Sequence, residues 1–199
     1  MDYSILVNKE NLLDSSYQVN KLVPVGKIFE SAKNAYSDED ILLEETTAKA
    51  LKEMLADANK IDSNIKVIPD SGYRDIKYQQ EVMDYYIKLE GLEKAKERVA
   101  IPGSSEHHTG LAIDIAIFDN GKYIDEVTGE ELPIKFLHDN CYKYGFILRY
   151  PKGKEKITGY RNEPWHFRYV GKDLAEYLYD NNLTLEEYHQ RRKNEGNIN

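Results

Sequence analysis

Pro102-Gly-Ser-Ser-Glu-His-His-Thr-Gly-Leu-Ala-Ile-Asp-Ile-Ala-Ile117 is the stretch on which the fold turns. Its second half, Leu111 to Ile117, is apolar and β-branched, which predicts a buried strand. Its first half is rich in turn residues. Asp114 lies inside the strand. An ionised aspartate in an apolar run costs several kcal/mol unless it is paired or holds a metal, so something cationic must face it. An Arg or Lys is the plainest candidate, because buried charges are usually paired.

Upstream, residues 1–40 read as an irregular arm of short apolar bursts, Ile5-Leu-Val7 and Leu22-Val-Pro-Val25. From Asp40 to about Lys60, apolar residues recur at helical spacing. Ile65-Lys-Val-Ile68 alternates like a strand and ends in the turn cluster Pro69-Asp-Ser-Gly72. Helices are predicted over Ile76 to Lys88 and Leu92 to Ala100, the latter stopped by Pro102-Gly103. Downstream, Asp119-Asn-Gly121 is a hairpin-type turn into Lys122-Tyr-Ile124. Ile134 to Tyr144 reads as a helix capped by Gly145, and Phe146 to Arg149 and Trp165 to Val170 read as strands. The chain is helical again from Gly171, and 190–199 read as a polar, frayed tail. Helices come first and short, hairpin-spaced strands later. That order predicts one α+β domain over 1–199, a small antiparallel sheet flanked by helices rather than alternating βαβ units.

The chain has 199 residues, enough for a core that needs no disulfides. Asp and Glu exceed Lys and Arg by 35 to 27, a net charge of −8 with no basic run, which argues against nucleic acid and against an anionic membrane surface. The single cysteine, Cys141, leaves no disulfide framework and no CxxC metal site. No window is apolar enough for a membrane span. No basic stretch followed by an apolar run opens the chain. A cytoplasmic protein and an excised domain of a longer anchored protein both fit. Oligomeric state leaves no signal, and a monomer is the expectation.

Three clusters carry chemistry. His107 and Asp114 lie in the opening stretch. Glu163-Pro-Trp-His166 begins a second strand, and the Pro164 turn can aim Glu163 toward the cavity that His166 faces. Two imidazoles and a carboxylate (His107, His166 and Asp114) suit Zn²⁺ with one position left open. Glu163 is then the natural base for a water activated there, the pattern of metal-assisted amide hydrolysis. The HExxH helix motif is missing. The third cluster is Ser71-Gly-Tyr-Arg74, where Gly72 permits a sharp turn and Arg74 is aimed from a strand end. A guanidinium there could bind a substrate carboxylate or an oxyanion, or simply pair with Asp75 or Asp114.

Taken together, Ser-x-His-x-x-Gly-x-Ala-x-Asp at 105–114, Glu-x-x-His at 163–166 and Ser-Gly-Tyr-Arg at 71–74 resemble the VanY-type D-alanyl-D-alanine carboxypeptidases. These are zinc peptidases of the Hedgehog/D,D-peptidase fold. The stretch from Gly145 to Gly159 and the segment Leu183-Thr-Leu-Glu-Glu-Tyr188 extend the likeness to roughly Ile5–Tyr188. The resemblance implies one zinc ion on His107, Asp114 and His166, with Glu163 as base and Arg74 as the substrate-polarising cation. It puts Gln79 and Ser105 near the C-terminal D-residue of the peptide, Tyr73 and Trp165 around the pocket, and Ser71 among the substrate contacts. The implied reaction removes D-Ala from a peptidoglycan stem peptide or its precursor. Alternatives are an L,D-carboxypeptidase on tetrapeptide stems, a D,D-dipeptidase and, outside enzymes, a wall-peptide-binding domain. A structural zinc site is disfavoured, since such sites are usually closed and cysteine-rich. His108 departs from the family, where Gln is common, and is a rival ligand whose side chain should point away. His138 and His189 read as surface or interhelical residues far from the motifs.

Overall fold

The computed structural model describes residues 2–13, 16–25 and 41–196. A three-residue strand in the arm, β1 (Leu22–Pro24), pairs antiparallel with β2 (Leu42–Glu44). Helix α1 (Glu45–Ala58) follows, then β3 (Ile65–Ser71), α2 (Ile76–Glu90) and α3 (Leu92–Arg98). A 3-10 turn at Glu106–Thr109 leads into β4 (Ala112–Asp119) and its hairpin partner β5 (Lys122–Ile124). The remainder comprises α4 (Leu132–Asn140), β6 (Phe146–Leu148), α5 (Glu155–Thr158), β7 (His166–Tyr169), α6 (Lys172–Asp180) and α7 (Leu185–Gly196). The main sheet runs β3-β4-β7-β6 with β5 alongside β4, and every pairing is antiparallel. The fold is α+β with a small antiparallel sheet, as the order of elements predicts. No helix among the described residues is long and apolar enough to cross a membrane.

Strand β4 organises the molecule because its two faces do different work. Ile113, Ile115 and Ile117 point into the main core, where they meet Leu51, Met54 and Leu55 of α1. Each buried aliphatic side chain is worth about 1.5–3 kcal/mol. Alternation sends Asp114 to the other face. A slip of one residue would bury Asp114 among leucines, so the apolar pattern itself fixes where the carboxylate points.

The structure corrects three element boundaries. Leu42 and Leu43 belong to a strand, not to the first helix. Glu44 ends that strand because its side chain accepts the N–H groups of Thr46 and Thr47 and so starts α1. The helix over 134–144 finishes as a 3-10 turn at Cys141–Tyr144, closed by Gly145 at φ 88°. The tail expected to fray from 190 is helical to Gly196, anchored by buried Leu185 and by Glu186 and Glu187, which pair with Arg149 and Lys154. Much of the arm, residues 26–40, lies outside the described residues, as do 14–15 and 197–199.

One buried ionic cluster ties the ends of the chain to the sheet. Glu106 Oε1 accepts from Arg149 Nε and Arg168 Nη1, each at 2.7 Å, and all three side chains are 0% exposed. Arg149 continues to Glu186 on α7 at 2.6 Å. Arg168 donates to the backbone oxygens of Tyr3 and Ile5 in the arm. Two arginines and two glutamates balance, which is what makes their burial tolerable.

Gly72 marks where β3 leaves the sheet. A Cβ there would meet the backbone oxygen of Leu42 at 2.4 Å, and Tyr73 N–H bonds that same oxygen at 2.7 Å. Backbone atoms cannot yield as a flexible side chain would. Gly72→Ala should therefore lower stability by about 1–3 kcal/mol, the usual cost of overpacking. Urea unfolding with an unchanged midpoint would contradict this account.

Candidate active site

Asp114 and His166 are register partners across the β4–β7 pair, so their side chains stand on one face of the sheet. His166 Nδ1 lies 2.7 Å from Asp114 Oδ1. His107 comes from the 3-10 turn before β4, and its Nε2 lies 3.2 Å from Asp114 Oδ2. Its other nitrogen, Nδ1, donates to the Gly72 carbonyl at 2.7 Å. That bond fixes the tautomer and leaves the Nε2 lone pair facing Asp114. One ligand atom from each of the three residues lies within 4.8 Å of the others.

Charge in this cluster is uneven. Burial, then Arg74, hold His107 down at about 4, so its imidazole is neutral at pH 7. Burial opposes the Asp114 carboxylate, but the two imidazoles outweigh it and hold the group well below the usual carboxylate range. Burial also opposes a His166 cation, yet Asp114 and Glu106 push that imidazole up to about 9. An anion thus sits between two nitrogens aimed at one point, the donor set of a divalent cation site. The donors are N, N and O with no cysteine, and they open onto a cavity. That fits a catalytic zinc site rather than a structural one.

The cavity holds about 270 Å³. Glu163 and Trp165 line it, and His166 N–H bonds the Glu163 carbonyl at 3.2 Å, so the Pro164 turn carries Glu163 back over the ligands. Glu163 Oε2 is 3.9 Å from His166 Nδ1. Burial is the main reason its carboxyl is pushed up to about 7. Arg74 enters from the other wall. Its Nη2 lies 3.5 Å from Asp114 Oδ2, its Nη1 donates to Gln79 Oε1 at 3.3 Å, and its buried Nε has no hydrogen-bond partner. Asp75 is not its partner but caps α2 through the Tyr78 N–H. Ser71 and Ser105 also line the cavity.

Two expected substrate contacts are placed differently. Tyr73 is not among the residues lining the cavity, because the chain turns at Gly72 and pairs Tyr73 N–H with β2. Gln79 lines it but is 1% exposed, and both ends of its amide are engaged, one by Arg74 and the other by the Ala100 carbonyl at 2.8 Å. Its geometry is that of a brace for Arg74. His108 points away from the ligands, as expected. Its Nδ1 donates to Arg74 O at 2.6 Å and its Nε2 accepts from Gly103 N–H at 3.1 Å. His138 corrects the reading that put it far from the motifs. From α4 its Nε2 donates to the Pro164 carbonyl at 2.8 Å, behind the Glu163 turn. His189 donates to Ser4 O in the arm. Sequence reasoning missed Glu106, whose Oε2 lies 3.4 Å from His166 Nε2, and Tyr150, whose ring packs 4.9 Å from that of His166. A signal for Glu106 existed: Arg149 directly follows an apolar strand and Arg168 sits inside one, and both require a buried anion.

The chain is similar to several known proteins along most of its length. The profile of the VanY family, described as D-alanyl-D-alanine carboxypeptidase, matches residues 40–172. YodJ of Bacillus subtilis is 44% identical over 191 residues, spanning 94% of this chain and 67% of its own length. The structure of the LdcB LD-carboxypeptidase, which reveals peptidoglycan recognition, is 41% identical with a TM-score of 0.76, covering 93% of this chain and 84% of its own. A mutant of the vancomycin-resistance D,D-pentapeptidase VanY from the VanB-type cassette, in complex with Zn(II), is 34% identical with a TM-score of 0.73, covering 94% of this chain and 99% of its own. The three blocks that carry the site, together with these matches along most of its length, make the chain a member of the VanY family of D-alanyl-D-alanine carboxypeptidases.

Proposed function

We propose that the protein is a zinc-dependent carboxypeptidase that removes the terminal D-Ala from peptidoglycan stem peptides ending in D-Ala-D-Ala. The observation that carries this reading is the convergence of His107, Asp114 and His166 on one point, with the Glu163 carboxyl beside it in the same cavity. The zinc reading also draws support from the zinc-bound VanY relative. A zinc ion in that donor set supplies Lewis acidity to a water and to the scissile carbonyl.

The chain's own groups do the rest. Glu163 takes the proton of the attacking water and delivers it to the departing amine. Burial raises this carboxyl above the ordinary carboxylate range, which favours its accepting a proton and passing it on. Arg74 offers its guanidinium to the oxygen that gains negative charge, and Gln79 holds it in line. Ser71, Ser105 and Trp165 contact the peptide from the cavity wall. The likeness to LdcB favours one second reading, an L,D-carboxypeptidase acting on tetrapeptide stems.

Four measurements test this. A purified chain stripped by chelator should lose hydrolysis of a D-Ala-D-Ala-terminated pentapeptide and regain it with one equivalent of zinc. Activity that survives full removal of metal contradicts the reading. The same assay, run by mass spectrometry on tetrapeptide, pentapeptide and free dipeptide, separates the D,D from the L,D and dipeptidase alternatives.

Glu163→Gln should keep zinc and lose about 10²–10⁴ in kcat, the usual worth of general base catalysis. In the wild type the base must be ionised. The kcat/KM value should therefore rise about tenfold per pH unit below the Glu163 pKa and level off above it. A bound cation lowers the Glu163 pKa from its metal-free value, so the acid limb is compared between the wild type and Glu163→Gln, and a limb that persists unchanged in the variant would remove Glu163 from the role of base.

A further inference from the structure

His166 presents its two nitrogens to two different carboxylates. Nδ1 faces Asp114 at 2.7 Å, and Nε2 faces Glu106 Oε2 at 3.4 Å. The ring is held on its other sides by Tyr150 at 4.9 Å and by the edge of His107 at 5.0 Å. Glu106 has no freedom of its own, because its second oxygen is fixed by Arg149 and Arg168. Arg149 is in turn gripped by Glu186 of the terminal helix through two hydrogen bonds, at 2.6 and 2.9 Å.

We propose that Glu106 is a positioning residue for the metal site: it accepts the Nε2–H of His166, and so selects the tautomer and ring orientation that leave Nδ1 to bind the cation. A carboxylate behind a ligating imidazole also strengthens the imidazole as a donor. The Arg149–Glu186 contacts carry this alignment to α7, so the C-terminal helix has a part in holding a ligand that is distant from it in sequence. The proposal rests on the zinc reading given above.

The test uses the full chain and two variants, Glu106→Asp and Glu106→Gln. Glu106→Asp keeps the charge that both arginines need but shortens the reach to His166. Glu106→Gln keeps the length and removes the charge. Zinc affinity is read by competition with a chromophoric chelator, and ligand geometry by the visible spectrum of the Co²⁺-substituted protein. Folding is checked by circular dichroism. A folded Glu106→Asp chain should bind zinc roughly 10- to 100-fold more weakly, with an altered cobalt spectrum. A merely structural role would lower the melting temperature and leave both readouts of the folded protein unchanged, which would overturn the proposal.

If neither variant folds, ¹⁵N-imidazole NMR of the zinc-loaded wild type decides. The proposal requires His166 protonated on Nε2, and a metal-bound Nε2 overturns it. A wild type that takes up no zinc overturns the metal site itself and this proposal with it. A wild type that binds zinc, with variants that match it, overturns this proposal alone.

Discussion

A carboxylate with no exposed surface, held between two arginines that are equally buried, is the constraint on which the rest of the structure depends. Taking Glu106, Arg149 and Arg168 out of water is costly, and only their mutual geometry makes it tolerable. That geometry can be satisfied in one way. The 3-10 turn must sit against β6 and β7, the arm must cross Arg168 with its carbonyls inward, and α7 must bring Glu186 to Arg149. Removing one partner from such a cluster typically costs about 3–5 kcal/mol, because it strands a buried charge. The turn that Glu106 anchors also carries His107, and the strand that Arg168 anchors begins with His166. The cluster that closes the fold therefore also sets the spacing of two of the three residues proposed to hold the metal.

The third, Asp114, is set by the sheet. Its neighbours Ile113 and Ile115 are committed to the core, so its own direction follows from strand alternation. Asp114 and Glu163, two of the carboxyls that line the cavity, then part company. Asp114 has imidazoles on both oxygens and Arg74 nearby, and it stays ionised. Glu163 sits about as deep, but burial governs it more than any cation does, and its carboxyl is lifted to about 7. Two similar groups a short distance apart are thus given different protonation behaviour, one suited to holding a cation and one to exchanging a proton.

Much of this was legible in the sequence. The apolar run around Asp114 predicted the strand and demanded a cation. The blocks at 105–114 and 163–166 carried the three residues that converge, and the segment from Ser71 to Arg74 supplied two residues of the cavity wall, Ser71 and Arg74. The illegible parts share one cause: they depend on partners distant in sequence. Leu42 and Leu43 fit a helical period equally well, and only the pairing with the arm makes them a strand. His138 looks like any helix residue until α4 is laid beside the Pro164 turn. The polar composition of α7 gives no hint of a fixed helix, because its ion-pair partners, Arg149 just after β6 and Lys154 just before α5, are distant in sequence. Glu106 is the instructive case. A buried charge needs a counter-charge, and this holds for Arg149 and Arg168 in their apolar segments as it does for Asp114. Both call for an acidic partner, and Glu106 is the acidic residue next to His107.

His108, expected to stand where Gln is common among relatives, makes contacts that a glutamine could reproduce. Consecutive residues in the 3-10 turn project in different directions, so His107 and His108 cannot share a target. His108 uses one ring nitrogen as a donor to the Arg74 carbonyl and the other as an acceptor from the Gly103 amide. A glutamine side chain offers the same pair, one donor and one acceptor at its tip. Either residue can therefore staple the loop carrying Arg74 to the loop carrying Ser105, across the wall of the cavity. The Arg74 carbonyl selects the tautomer, since it can only accept, and that choice leaves the other nitrogen free to take the Gly103 N–H. What this position requires is a bridge between two loops, and its identity as histidine adds no donor to the candidate metal site beside it.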